Sequence, residues 1–297
     1  MSYSDQKKGM LIAFTAIIFI TPDALLIRLA NLNSWNLIFY RGFIPFIVVF
    51  IGLLIIYKTK LLNEIINNGV YGFFYACVFT VTNIVFVISI ENTNVANTLI
   101  MVALAPMLSA IISYIFLKEE PDQKTWIAII ITTLSVLYIF YDSLDAGDFL
   151  GNFLGLITAS GLAIGANIIR AAKKNSLVPS AMIGKLFVAL IALLFVDQLE
   201  LKDGDVVIIP LMCIMCVAIP FVLVTLAPRY ITAAEVNLFF LLETILGPLW
   251  VWFVIKEQPS FETIVGGSVI VITIAIHSIL ALKKNINYLI ALLLTKV

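Results

Sequence analysis

Two segments of this chain read as copies of one another. The first runs from Asn92 to Trp126, the second from Tyr230 to Ile264. Ala96 falls on Ala234, Lys118 on Lys256, Glu119 on Glu257 and Pro121 on Pro259, each pair 138 positions apart (118 to 256). Earlier in each copy the register is 142 positions (9 to 151), with Gly9 on Gly151, Arg28 on Arg170 and Gly42 on Gly184. The offset shrinks by about four, so the first copy carries a few extra residues in its middle. A repeat on this scale restricts the chain to an architecture of two related halves, here residues 1–141 and 142–297.

The halves are not soluble domains. Of 297 residues, 62% are hydrophobic and 12% are charged, whereas soluble domains carry about 25% charge. The formal net charge is zero, so there is no basic face for nucleic acid. The polar segment Met1–Lys8 is followed by no signal-cleavage pattern, so the next apolar run is expected to stay as a helix. A helix needs about 20 apolar residues to cross the hydrocarbon. Ten stretches qualify: about 10–30, 35–57, 69–90, 95–117 and 124–141, then about 150–172, 178–196, 206–228, 234–255 and 262–282. The connections, such as Lys58–Asn68 and Lys118–Gln123, are short and polar, and the tail Ile286–Leu294 is too short to span.

The expected fold is therefore an all-α membrane protein of ten transmembrane helices. Lysine and arginine collect on the N-terminal side of this arrangement (Lys7, Lys8, Lys58, Lys60, Lys118, Arg170, Arg229), while Asp142, Asp145, Asp197 and Glu200 fall on the other. That bias places both termini in the cytoplasm. Five helices per half make the two repeats inverted around a central cavity, as in many secondary transporters.

The motifs resemble those of the drug/metabolite transporter superfamily, in its ten-helix EamA branch. Phe39-Tyr40-Arg41-Gly42 is similar to the arginine pattern of the second helix. Ala96…Ala105-Pro106…Phe116-Leu117-Lys118-Glu119 resembles the fourth-helix motif, and Arg229-Tyr230-Ile231-Thr232-Ala233-Ala234…Leu242-Glu243-Thr244…Lys256-Glu257 its second copy. Lysine replaces glycine before both turn glutamates, and Thr244 replaces a proline. The resemblance implies small-solute transport at a cytoplasmic (inner) membrane and names no solute.

Ionisable side chains inside a bilayer mark functional sites, and four stand out: Asp23, Arg41, Lys185 and Glu243. At about 1.5 Å per residue, Asp23 and Arg41 share a level in the outer half of the membrane, and Lys185 and Glu243 one in the inner half. The expectation is an outer and an inner acid–base couple, each on the solute path or each tying helices together. Asp23 is the candidate proton carrier if protons are the coupling ion. Tyr40, Phe239 and Trp250 are candidate aromatic contacts, and Asn83, Asn97, Asn167 and Asn237 either line the cavity or bond between helices. Prolines at 22, 45, 106, 220 and 248 are expected to break or kink their helices. Arg28 and Glu235 lie near helix ends, where snorkelling to water accounts for them. Cys77, Cys213 and Cys216 read as inert, membrane-facing thiols. No phosphate-binding glycine loop, nucleophile–base set or metal cluster is visible, so no cofactor or metal is expected. Gly161…Gly165 packs helices within one chain or between two, which leaves monomer and homodimer both open.

The leading reading is a permease moving an amphiphilic or zwitterionic metabolite, an amino-acid or nucleoside-like derivative, by alternating access. A passive channel-like facilitator, a multidrug or cation exporter and, further off, a lipid-modifying enzyme are the alternatives.

Overall fold

The computed structural model describes residues 3–93, 95–141, 149–172, 175–202 and 204–256, and, beyond these, 261, 264–266, 268–270, 272–273, 276–277 and 280. Among the described residues every regular element is helical. The first half holds α1 (Tyr3–Ile20), α2 (Asp23–Leu29), α3 (Ser34–Tyr57), α4 (Leu61–Asn67), α5 (Gly69–Asn92), α6 (Val95–Val102), α7 (Ala105–Ile112) and α8 (Gln123–Tyr141). The second holds α9 (Phe149–Ala171), α10 (Val178–Leu193), α11 (Asp205–Met212), α12 (Ile219–Leu226) and α13 (Ala233–Ile255), and the described residues from 261 to 280 are helical as well. Glu257, Pro259, Asp142, Asp145 and the tail Ile286–Leu294 lie outside the described residues.

Among the described residues these elements group into ten passes, five per half, the tenth represented only by the described residues from 261 to 280. Asp5–Leu29, Ser34–Asn67, Gly69–Asn92, Phe149–Ala171, Asp205–Arg229 and Ala233–Ile255 are long and apolar enough to cross a membrane, while Ala105–Leu117 and Val178–Leu193 are shorter apolar helices. An odd number of passes turns the second half upside down relative to the first. Leu11, Ile55, Phe73, Phe116, Phe149 and Val207 project outward as an apolar surface suited to lipid.

The passes are less regular than the hydrophobic runs suggest. Pro22 removes a backbone donor, and the first pass breaks there into α1 and α2, which starts at Asp23. The fourth pass breaks at Ala103 and Leu104, just ahead of Pro106, and ends in a π-helical turn, Ser113–Leu117. A second π turn, Cys213–Ala218, precedes Pro220. Pro45 and Pro248 stay inside α3 and α13. The polar connection Lys58–Asn68 is itself largely helical, since Leu61, Leu62, Ile65 and Ile66 give α4 an apolar face. Glu235 does not snorkel. Its carboxylate accepts the Thr232 N–H (2.8 Å) while the Thr232 hydroxyl accepts the Glu235 N–H (3.2 Å), a capping box that starts α13.

The halves exchange their leading helices. α1 packs on α12 and α13 of the second half, and α9 on α5, α6 and α7 of the first. The glycines show how closely this follows the repeat. A Cβ at Gly9 would lie 2.7 Å from side-chain atoms of Tyr230 and Ile231. One at Gly151 would lie 2.6 Å from the Thr93 side chain and 2.7 Å from the Asn92 carbonyl. Gly9 and Gly151 are repeat partners, and so are residues 230–231 and 92–93, 138 positions apart (92 to 230). Each contact is the image of the other under a two-fold relation between the halves. A Cβ at Gly42 would lie 2.6 Å from the backbone of Ala189, and one at Gly184 3.0 Å from that of Ala76, so α10 comes close to both α3 and α5.

Candidate functional site

Three apolar clusters form the core. One gathers Met10, Ile17 and Leu241, a second Ile38, Ile90 and Val188, and a third Leu177, Met182 and Phe221. A cavity of about 110 Å³ sits where they meet, since its lining residues Ile20, Phe86 and Phe79 each pack on a different cluster. Asp23, Arg41, Asn83, Lys185 and Glu243 all face it. The rest of the wall is mainly apolar, with Val102, Val217, Phe221 and Phe240 among it.

Asp23 and Arg41 form the expected pair. Arg41 donates from both terminal nitrogens, at 2.6 and 2.7 Å, to the two oxygens of Asp23. Both side chains are buried, and the fork geometry is the one that best offsets desolvation. The helix break at Pro22 positions Asp23 at the start of α2, directly across from α3.

The expected inner couple does not form. Lys185 is fully buried on α10, but its Nζ donates to Asn83 Oδ1 at 2.5 Å and lies 5.3 and 5.8 Å from the ring centres of Phe79 and Phe221. Glu243 on α13 is buried too, and its Oε1 has no hydrogen-bond partner. Lysine and glutamate thus face one cavity without meeting. The depth of a residue along its helix follows from sequence, but its azimuth does not. Instead of two couples at two levels, there is one cluster containing one closed pair and two separate charges.

The other candidates divide. Asn167 is an interhelical clamp: its amide nitrogen donates to the Ser109 carbonyl (3.1 Å) and hydroxyl (3.0 Å), tying α9 to α7. Asn97 donates to the Thr93 hydroxyl at 3.0 Å. Asn237 is buried with its Nδ2 unsatisfied, and Phe239 belongs to the core, while neither lines the cavity. Trp250 is half-exposed and donates to the Thr21 hydroxyl at 2.9 Å, bracing the break before Asp23. Tyr40 is placed beside the site, where its carbonyl accepts from the Cys213 thiol at 3.4 Å. Sequence reasoning passed over Phe221, Thr82 and Thr158 in the cavity wall. It also misplaced Cys216, which is buried and lines the cavity instead of facing lipid, and Cys213, which is buried as well. Among the described residues, no three His, Cys, Asp or Glu side chains converge as a metal site.

A sequence profile of the EamA-like transporter family matches residues 7–141 and again residues 149–279. The chain belongs to the EamA-like transporter family. The two matches put one copy of the EamA-like unit on each side of the cavity, so the charges above sit between repeats. Among curated proteins none matches. One solved structure, described only as "Crystal structure of protein", aligns with a TM-score of 0.76 over 93% of this chain and 98% of its own, at 15% identity. That likeness is one of fold. The two lysines that stand where the resemblance places glycine, Lys118 and Lys256, both adopt left-handed backbone, with φ of 52° and 67°. Glycine occupies that region without steric cost.

Proposed function

We propose that this EamA-like transporter carries a small zwitterionic metabolite, an amino-acid or nucleoside-like derivative, through the central cavity by alternating access. One observation carries the reading. Lys185 and Glu243 face the same apolar-walled cavity, neither neutralising the other, with one Glu243 oxygen unpartnered. Lys185 spends one donor on Asn83 and keeps two for a solute carboxylate. Glu243 offers an acceptor to an ammonium group, and Phe79, Phe221 and Phe240 take the apolar part. The closed Asp23–Arg41 pair holds α2 to α3 beside the solute. The coupling role assigned to Asp23 passes to Glu243, because both oxygens of Asp23 are already held by Arg41. The carrier works in the cytoplasmic membrane with its lysine-rich face inward. The unpartnered Glu243 oxygen in this mainly apolar wall would also suit a lipophilic cation, but Lys185 and Arg41 on the same wall repel one.

The test is a thermal-shift screen of purified protein against amino acids, nucleoside derivatives and neutral sugars. A zwitterion present at a hundred times its Kd adds about 2.7 kcal/mol of stability. Lys185→Met and Glu243→Gln should fold, lose the shift and fail to move the solute into proteoliposomes. Stabilisation by neutral sugars alone, or full uptake by both variants, would remove the reading.

A further inference from the structure

At one end of the molecule, among the described residues, one ion pair joins the two halves. Arg170, in the last turn of α9, donates its Nε to both oxygens of Glu119, at 3.0 and 3.2 Å, and an outer nitrogen to the Pro228 carbonyl at 3.3 Å. Both side chains are mostly shielded, at 14% and 24% exposed. The contact therefore closes over three structural pieces: the turn after α7, the end of α9 and the turn after α12. The last two lead straight to the cavity. Leu162 of α9 lines it eight residues before Arg170, about 12 Å along the axis. Phe221 and Val224 of α12 line it just ahead of Pro228.

The partner on the first-half side is mounted on an irregular helix end. Glu119 follows the π turn Ser113–Leu117 and the left-handed Lys118, and π turns within helices frequently mark functional sites. Beside that turn lies a second cavity of about 270 Å³, bordered by Gln6, Glu235 and His277, which leaves room for it to move.

At the opposite end the described residues show a different contact. Arg28 is the repeat partner of Arg170. It donates to the Thr93 carbonyl at 3.1 Å, within its own half, and among the described residues it bridges to no carboxylate of the other half. Among the described residues only Arg170 of these two repeat-related arginines reaches the other half, while Glu257, the repeat partner of Glu119, lies outside them.

We infer that the Glu119–Arg170 pair, seated on the Pro228 carbonyl, is a latch that keeps the cavity shut toward the face bearing Arg170, and that solute exchange on that face requires it to part. The inference rests on the reading that this cavity opens to one face at a time. Cys216, a native thiol buried in the cavity wall, reports the opening. In a Cys77→Ser, Cys213→Ala background, a small charged thiol reagent is applied to membrane vesicles of each orientation. Glu119→Gln and Arg170→Gln should each speed labelling of Cys216 from the Arg170 face by about fivefold, the population change expected for loss of a partly exposed ion pair. The exchanged pair, Glu119→Arg with Arg170→Glu, should return labelling toward the parent rate. Folded single variants that label within about twofold of the parent, or an exchange as fast as the single variants, overturn the latch. Uptake of amino acids or nucleoside derivatives is measured on the same vesicles. Faster labelling without any uptake keeps the latch and removes the solute assignment. Unchanged labelling with intact uptake does the reverse.

Discussion

Asp23 and Arg41 each depend on the other for their place inside the bilayer. Removing one partner strands a buried charge, at a cost of about 3–5 kcal/mol, whereas replacing both by apolar groups of similar size is often close to neutral. Asp23→Asn should accordingly unfold well below the parent temperature in detergent, and Asp23→Leu with Arg41→Met should recover most of the loss. If Asp23→Asn is as stable as the parent, the pair does not hold the helices. Lys118 poses the opposite case, a residue held in a conformation it does not favour. Left-handed backbone costs an L-residue about 1–2 kcal/mol. Lys118→Gly should raise the unfolding midpoint by the equivalent of about 1 kcal/mol, measured against Lys60→Gly, a lysine without positive φ. The sequence alone flagged Lys118 as a departure from a glycine position, but its backbone geometry needed the structure.

Helix ends follow from the length of the apolar runs, and the runs at 35–57, 69–90 and 234–255 match α3, α5 and α13 to within two residues. What the runs hide is the interior of a pass. Val95 to Leu117 is continuous in hydropathy and broken in space at Ala103–Leu104, because an apolar side chain suits α6, the break and α7 equally well. The missed helix α4 has the same origin, for its charged neighbours Lys58 and Lys60 read as a loop. Close approach between helices is also invisible in composition. Gly42 and Gly52 lie on the same helix, yet a Cβ at Gly42 would meet the Ala189 nitrogen at 2.6 Å and one at Gly52 would meet nothing within 4 Å. Gly42→Ala should destabilise the α3–α10 contact by about 1–3 kcal/mol, while Gly52→Ala should be neutral or stabilising by up to about 1 kcal/mol. Equal unfolding midpoints for the two would contradict the packing described.

Across the whole molecule, charge and symmetry separate. Arg28 matches Arg170, and Glu119 matches Glu257, in the repeat. The charges of the cavity have no such images: Asp23 corresponds to Gly165, Arg41 to Ile183, Lys185 to Phe43 and Glu243 to Ala105. A device that works alternately on two faces needs duplicated parts, while a site for an asymmetric solute needs single ones. The repeat was therefore legible from sequence, and the partnering of Lys185 was not, since no second copy existed to compare. The inverted arrangement has a direct check. In a cysteine-free background, Lys60→Cys should react with an impermeant maleimide from one face and Gln198→Cys from the other, because five passes separate them. Reaction of both from the same face would refute it.

The crossed seating of α1 and α9 bears on how the protein is made. α1 emerges from the ribosome among the first elements, but α12 and α13, on which it rests, are among the last. Newly inserted α1 therefore lacks its main packing partners, and waits in lipid or with an insertion chaperone while most of the chain is translated. Assembly of this transporter is thus tied to completion of synthesis, and a truncated product lacking α12 and α13 leaves α1 without its main packing partners for membrane quality control to find.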